Sequence, residues 1–97
     1  MHKIVYSNEA EDDISDIIDH IAKESESNAL AYLERYDERM ALLQANPKMG
    51  TPCANKNIDK VCRVLTSESH IVIYEESNDE IFIIRIFHQS VNYPIKV

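Results

Sequence analysis

The chain has 97 residues, of which 44% are hydrophobic and 28% charged, and its net charge is −7. That length fits one domain over residues 1–97 with a modest core, and that balance excludes a disordered chain, a repeat array or a collagen-like fibre. No apolar run approaches the roughly 18 residues that cross a bilayer, and an acidic domain is a poor sequence-independent nucleic-acid binder, because phosphate neutralisation drives such binding.

In chain order, residues 2–6 read as a short strand with no signal peptide ahead of it, and a reducing cytosol is the expected compartment. Asn8 with Glu11 makes a capping box, each side chain satisfying an orphan N–H of a first helical turn. Ala10, Ile14, Ile17, Ile18 and Ile21 then fall on one stripe, which predicts a helix over 9–23. Residues 9–26 carry eight acids against Lys23 alone, so this one element sets the charge of the whole chain. Ser25–Asn28 reads as a turn. A second stripe, Ala29, Leu33, Tyr36, Met40 and Leu43, predicts a helix that ends near Asn46, because Pro47 disfavours helical geometry at the residue before it. Two helices joined by a short polar turn form an antiparallel hairpin.

Residues 47–52 read as a loop holding the only glycine, Gly50. Strands follow at 60–66, 70–75 and 80–88, with short links that favour an antiparallel meander. The order β-α-α-β-β-β implies an α+β domain with a helical hairpin on one face of a small, mainly antiparallel sheet. The last strand alternates Phe82, Ile84 and Ile86 against Ile81, Ile83 and Phe87, with Arg85 interrupting the second face. The hairpin covers one face, so the pattern leaves the other for a partner. Cys53 and Cys62 have no scaffold or zinc spacing and read as free thiols. Neither a metal nor a cofactor is implied.

Four landmarks run through the chain in register: Tyr6-Ser7-Asn8-Glu9-Ala10-Glu11-Asp12-Asp13-Ile14; Leu43 followed by Asn46-Pro47-Lys48-Met49-Gly50; Arg63 ahead of Val72-Ile73-Tyr74; and Ile84-Arg85-Ile86-Phe87-His88-Gln89-Ser90. Together they resemble toxins of the RelE/ParE superfamily of bacterial type II toxin–antitoxin pairs, with an ending closer to the ParE branch. The resemblance implies a toxin held inactive by a cognate antitoxin whose C-terminal segment folds on it, in a hetero-oligomer. For the ParE branch it implies poisoning of DNA gyrase without catalysis and without direct DNA binding by the chain alone. For the RelE branch it implies cleavage of mRNA on the ribosome. A degenerate member that only binds antitoxin is the third reading.

Cleavage of RNA by 2′-OH attack needs a base, positive groups for the charge on phosphorus, and an acid for the leaving oxygen. Lys56, Lys60, Arg63, Arg85, His88 and Tyr93 supply those types, yet Arg85 and His88 point to opposite faces by alternation. The basic cluster expected after the terminal histidine is replaced by Val91-Asn92-Tyr93, which weakens the nuclease reading. Arg63 reads first as a structural arginine reaching a carboxylate or a loop carbonyl, and second as a phosphate or partner contact. For antitoxin binding, the face of Ile81, Ile83, Arg85 and Phe87 is the candidate, with Phe87 as apolar anchor and Arg85 meeting a carboxylate on the antitoxin.

Overall fold

The isoleucines at 14, 17, 18 and 21 give the first helix, α1 (Asn8–Glu24), an apolar stripe that packs against the core. Its cap is Ser7, one residue earlier than the capping-box pattern predicts. The Ser7 hydroxyl accepts the Ala10 N–H at 2.9 Å, and the same hydroxyl donates to the Ile84 carbonyl at 2.6 Å. A tertiary bond thus competes with the local pattern and wins the cap position. Ser25 both ends α1 and caps α2 (Glu26–Ala45), so the expected four-residue turn shrinks to one residue. The α2 stripe buries Ala29, Tyr32, Tyr36, Met40 and Leu43, with Tyr32 in the place expected for Leu33.

The computed structural model describes residues 2–53 and 61–89. Before and after the helices lie β1 (Lys3–Tyr6), β2 (Thr51–Pro52), β3 (Arg63–Ser67), β4 (His70–Glu76) and β5 (Glu80–His88). They form one sheet in the order β1-β5-β4-β3-β2. The meander β2-β3-β4-β5 is antiparallel throughout, and β1 adds to β5 in parallel. The chain reaches that parallel pairing through the helical hairpin, as parallel neighbours require a crossover. β2 pairs Thr51 with Val64 inside a segment that the sequence reads as loop.

The helices cover one sheet face, and their core includes Tyr36, Leu43, Val72, Tyr74, Ile81 and Ile83. Across the sheet, Cys53, Cys62, Val64, Ile71 and Ile73 form a second buried cluster, with Ile84 and Phe87 against it. The expectation that β5 is apolar on both faces therefore holds, but the assignment of residues to faces does not. Ile73 pairs with Arg85 while Tyr74 pairs with Ile83, so Ile84 is an extra, bulged residue. A bulge inverts the alternation beyond it. Ile86 joins Ile81 and Ile83 beneath the helices, and Phe87 joins Phe82 and Ile84 on the far side.

Beyond Tyr6, β1 no longer accompanies β5, and α1 takes over that edge. The Ser7 N–H donates to the Ile83 carbonyl at 2.9 Å, and the Asp13 carboxylate accepts the Ile86 N–H at 2.9 Å. The Ser7 backbone and the Asp13 side chain thereby satisfy groups of β5 that a strand would otherwise pair.

Cys53 and Cys62 are bonded as a disulfide, which corrects the reading as free thiols. The β2–β3 pairing brings their Cα atoms to 5.2 Å, and the Cys53 N–H donates to the Cys62 carbonyl at 2.8 Å. The proximity comes from a two-residue strand with little sequence signature. Closing so short a loop contributes about 3 kcal/mol in the chain-entropy account.

Candidate functional site

Of the six residues that could serve RNA cleavage, Lys56, Lys60 and Tyr93 lie outside the described residues. The other three are placed apart. Arg63 pairs across the ladder with Tyr74, whose side chain lies under the helices, whereas Arg85 pairs with Ile73, which faces the opposite cluster. The two arginines thus occupy opposite faces. Arg63 donates to the carbonyls of Gly50 at 2.8 Å and Lys48 at 3.2 Å, which fastens the loop between α2 and β2. This is the structural role weighed for it above. His88 lies opposite His70 at the far end of the sheet. His70 in turn pairs with Ser67, four residues along β3 from Arg63, or roughly 13 Å at the rise of a strand.

The four residues expected to form an antitoxin-binding face do not form one surface. Ile81 and Ile83 are both 0% exposed and sit beneath the helical hairpin. Phe87 is on the other side. Arg85 is held by Asp13 through two bonds, 2.8 Å from Nε and 3.1 Å from Nη2, with its guanidinium 4.6 Å from the centre of the Phe87 ring. It therefore already has its carboxylate. The bulge at Ile84 is the physical reason for the difference.

Sequence reading gave no weight to two depressions. One, of about 610 Å³, lies where α2 ends and β1 begins, with Leu42, Asn46, Pro47 and Met49 on its wall. The other, of about 460 Å³, lies between α1 and the turn joining β3 to β4, lined by Asp16, His20, His70 and His88. Asp16 and His20 are four residues apart, and so share one helix face, a spacing visible in the sequence. The pairing of His70 with His88 needs the register and is not visible there.

His70 is buried against Tyr32, whose hydroxyl lies 2.9 Å from Nδ1, and its ring meets His88 edge-to-face. Burial, with Glu68 adding to it, pushes the Tyr32 hydroxyl up to about 12, so Tyr32 keeps its proton and one hydrogen bond joins it to Nδ1 of His70. Burial and, second, the His88 charge hold the His70 pKa below its ordinary value of 6.5. The unfolded chain therefore binds a proton at this site that the folded chain resists. Stability is full above about pH 6.5 and declines as the pH falls through the folded value, by at most about 1.4 kcal/mol per pH unit. Urea unfolding from pH 7.5 to 5 is expected to show this decline, and His70→Asn is expected to flatten it. Equal slopes in the two proteins would remove His70 as its source.

The chain matches the family model of the ParE toxin of the type II toxin–antitoxin system, parDE, over residues 4–93. It belongs to the ParE toxin family. Its fold is similar to a chain of the chromosomal ParDE TA system from P. aeruginosa, with a TM-score of 0.68 and 24% identity, covering 91% of this chain and 96% of that one. No curated protein sequence matches it. In this ParE-family toxin the segment from Leu43 to Gly50 ends α2 and closes on Tyr74, whose hydroxyl donates to the Pro47 carbonyl at 2.8 Å and accepts the Gly50 N–H at 3.0 Å. The opening landmark carries the Ser7 cap and Asp13, which fasten the start of α1 to β5. No helix among the described residues of this ParE-family toxin is long and apolar enough to cross a membrane.

Proposed function

We propose that this chain is a growth-inhibiting toxin that poisons DNA gyrase by binding it and is neutralised by a cognate antitoxin. The family match over residues 4–93 carries the reading. The placement of Arg63, Arg85 and His88 supports the gyrase branch over the nuclease branch. Acid–base cleavage of RNA needs its donor, acceptor and positive groups around one phosphate. Here two arginines stand on opposite faces of the sheet, each already bonded, to loop carbonyls in one case and to Asp13 in the other.

Expression of the chain without its antitoxin is the test. The expected result is growth arrest with filamentation, accumulation of gyrase–DNA cleavage complexes, and intact mRNA. Cleavage of mRNA on translating ribosomes would replace this reading with the nuclease one. Normal growth in the presence of abundant folded chain would leave a member that binds antitoxin without toxicity.

A further inference from the structure

The Cys53–Cys62 bond joins two ends that are held very differently. Cys62 leads directly into β3, whose five residues all pair with β4. Cys53 follows β2, which has two residues, both exposed, and one of them, Pro52, brings no N–H to the ladder. Ahead of β2 the chain is fixed at Gly50, whose carbonyl is held by Arg63 and whose N–H is held by Tyr74. Thr51–Cys53 is therefore the stretch that the disulfide holds down. A second observation concerns what lies beneath it. Cys53 is 0% exposed and Cys62 7%, and both pack with Val64, Ile71 and Ile73 on the sheet face away from the helices. Neither helix covers this face, so the two sulfurs are part of its cover. Bonded sulfurs lie far closer than two thiols can approach, because non-bonded atoms stop at van der Waals contact. In a close-packed cluster, breaking the bond makes the two cysteines part, and the weakly held end yields.

We propose that Cys53–Cys62 is a redox-sensitive clasp, whose reduction frees Thr51–Cys53 from β3 and opens the apolar cluster around Val64 and Ile73, while the core under the helices stays folded. The reductant is a dithiol. One of its thiolates attacks Sγ of Cys62, the more accessible cysteine, which lies beside the 95% exposed Val61. The S–S bond breaks, and the Cys53 sulfur leaves as a thiolate and takes a proton. The second thiol of the reductant then displaces Cys62 from the mixed disulfide. The chain gains two electrons and two protons, and the dithiol ends as a disulfide. The core that holds Tyr36, Leu43, Tyr74 and Ile81 contains neither cysteine, so it keeps its contacts when the clasp opens. The far face of the sheet is thus sealed or opened by the thiol–disulfide balance around the chain. The clasp does not depend on the gyrase reading.

The test treats the full chain with excess dithiothreitol, a dithiol, and follows amide exchange and thiol alkylation. In the closed form the Cys53 N–H is bonded to the Cys62 carbonyl at 2.8 Å. On reduction the Cys53 amide is expected to exchange about tenfold faster or more, while the amides of β4 stay protected by about a hundredfold or more. The Cys53 thiol, buried when bonded, is expected to alkylate within about tenfold of the rate of an unfolded cysteine. A Cys53→Ala/Cys62→Ala chain is expected to show no response to dithiothreitol. The same response in that variant would place the effect elsewhere and overturn the clasp. So would a bond that dithiothreitol leaves intact in the folded chain, or a Cys53 amide and thiol that stay as protected after reduction as before. Loss of β4 protection together with that of Cys53 would make the bond a staple of the whole fold and equally overturn the proposal.

Discussion

Asp13→Ala is expected to lower the unfolding free energy by about 3 kcal/mol, whereas Asp12→Ala, one residue away, changes it by about 0.5 kcal/mol or less. The contrast follows from what each carboxylate touches. Asp12 is exposed on α1. Asp13 is 16% exposed and accepts three bonds: Nε and Nη2 of Arg85, and the Ile86 N–H. Its removal leaves a partly buried guanidinium without its counter-ion and a strand N–H without an acceptor, on the stretch of β5 that β1 does not reach. Arg85→Lys keeps a charge but cannot span both oxygens, so it is expected to cost about 1–2 kcal/mol. Arg85→Glu sets two carboxylates together and is expected to cost more than Asp13→Ala. Urea melts of the four variants check the order. Equal midpoints for Asp12→Ala and Asp13→Ala would show that α1 does not secure β5 through this side chain. The same geometry makes Arg85 a poor probe of partner binding, since its variants alter folding first.

The helical hairpin was legible in the sequence because a helix stripe is local: Ile14, Ile17, Ile18 and Ile21 declare α1 within eight residues. The strands were legible as elements for the same reason. What they do to one another was less so. The bulge at Ile84 is set by a hydrogen-bond register spanning β4 and β5, and strict alternation through residues 81–87 gives no hint of it. That single extra residue exchanged the faces expected for Ile86 and Phe87 and dissolved the expected binding surface. The parallel union of β1 with β5 joins residues far apart in the chain, and the disulfide depends on a two-residue strand. Arg63 and His88 were visible as residue types capable of chemistry, but whether such groups converge is a property of the sheet. Asp13 looked like one acid among eight.

Gly50→Ala is expected to destabilise the chain by about 3 kcal/mol, even though Gly50 has an ordinary negative φ. The reason is space. A β-carbon at Gly50 would come 2.7 Å from the Tyr74 hydroxyl, 2.9 Å from its ring carbon Cε1 and 3.0 Å from the Val64 carbonyl oxygen. The side chain of Tyr74 cannot swing aside cheaply, because Tyr74 is 0% exposed in the core and its hydroxyl is bonded to both Gly50 and Pro47. The Val64 carbonyl belongs to the sheet and has no rotamer to change. Accommodation must therefore push the loop from Pro47 to Gly50 away, which breaks those two bonds and the 2.8 Å bond from Arg63 to the Gly50 carbonyl. Tyr74→Phe alone leaves the Gly50 N–H and the Pro47 carbonyl unpaired and is expected to cost about 1–2 kcal/mol. The double variant should cost less than the two single costs added, because the phenyl ring no longer carries the atom that lies nearest the new methyl group. Denaturant unfolding of the wild type, both single variants and the double variant measures that coupling. Strict additivity, or a Gly50→Ala cost within about 0.5 kcal/mol of zero, would show that the loop yields freely and that the Pro47–Gly50 turn is not fastened through Tyr74.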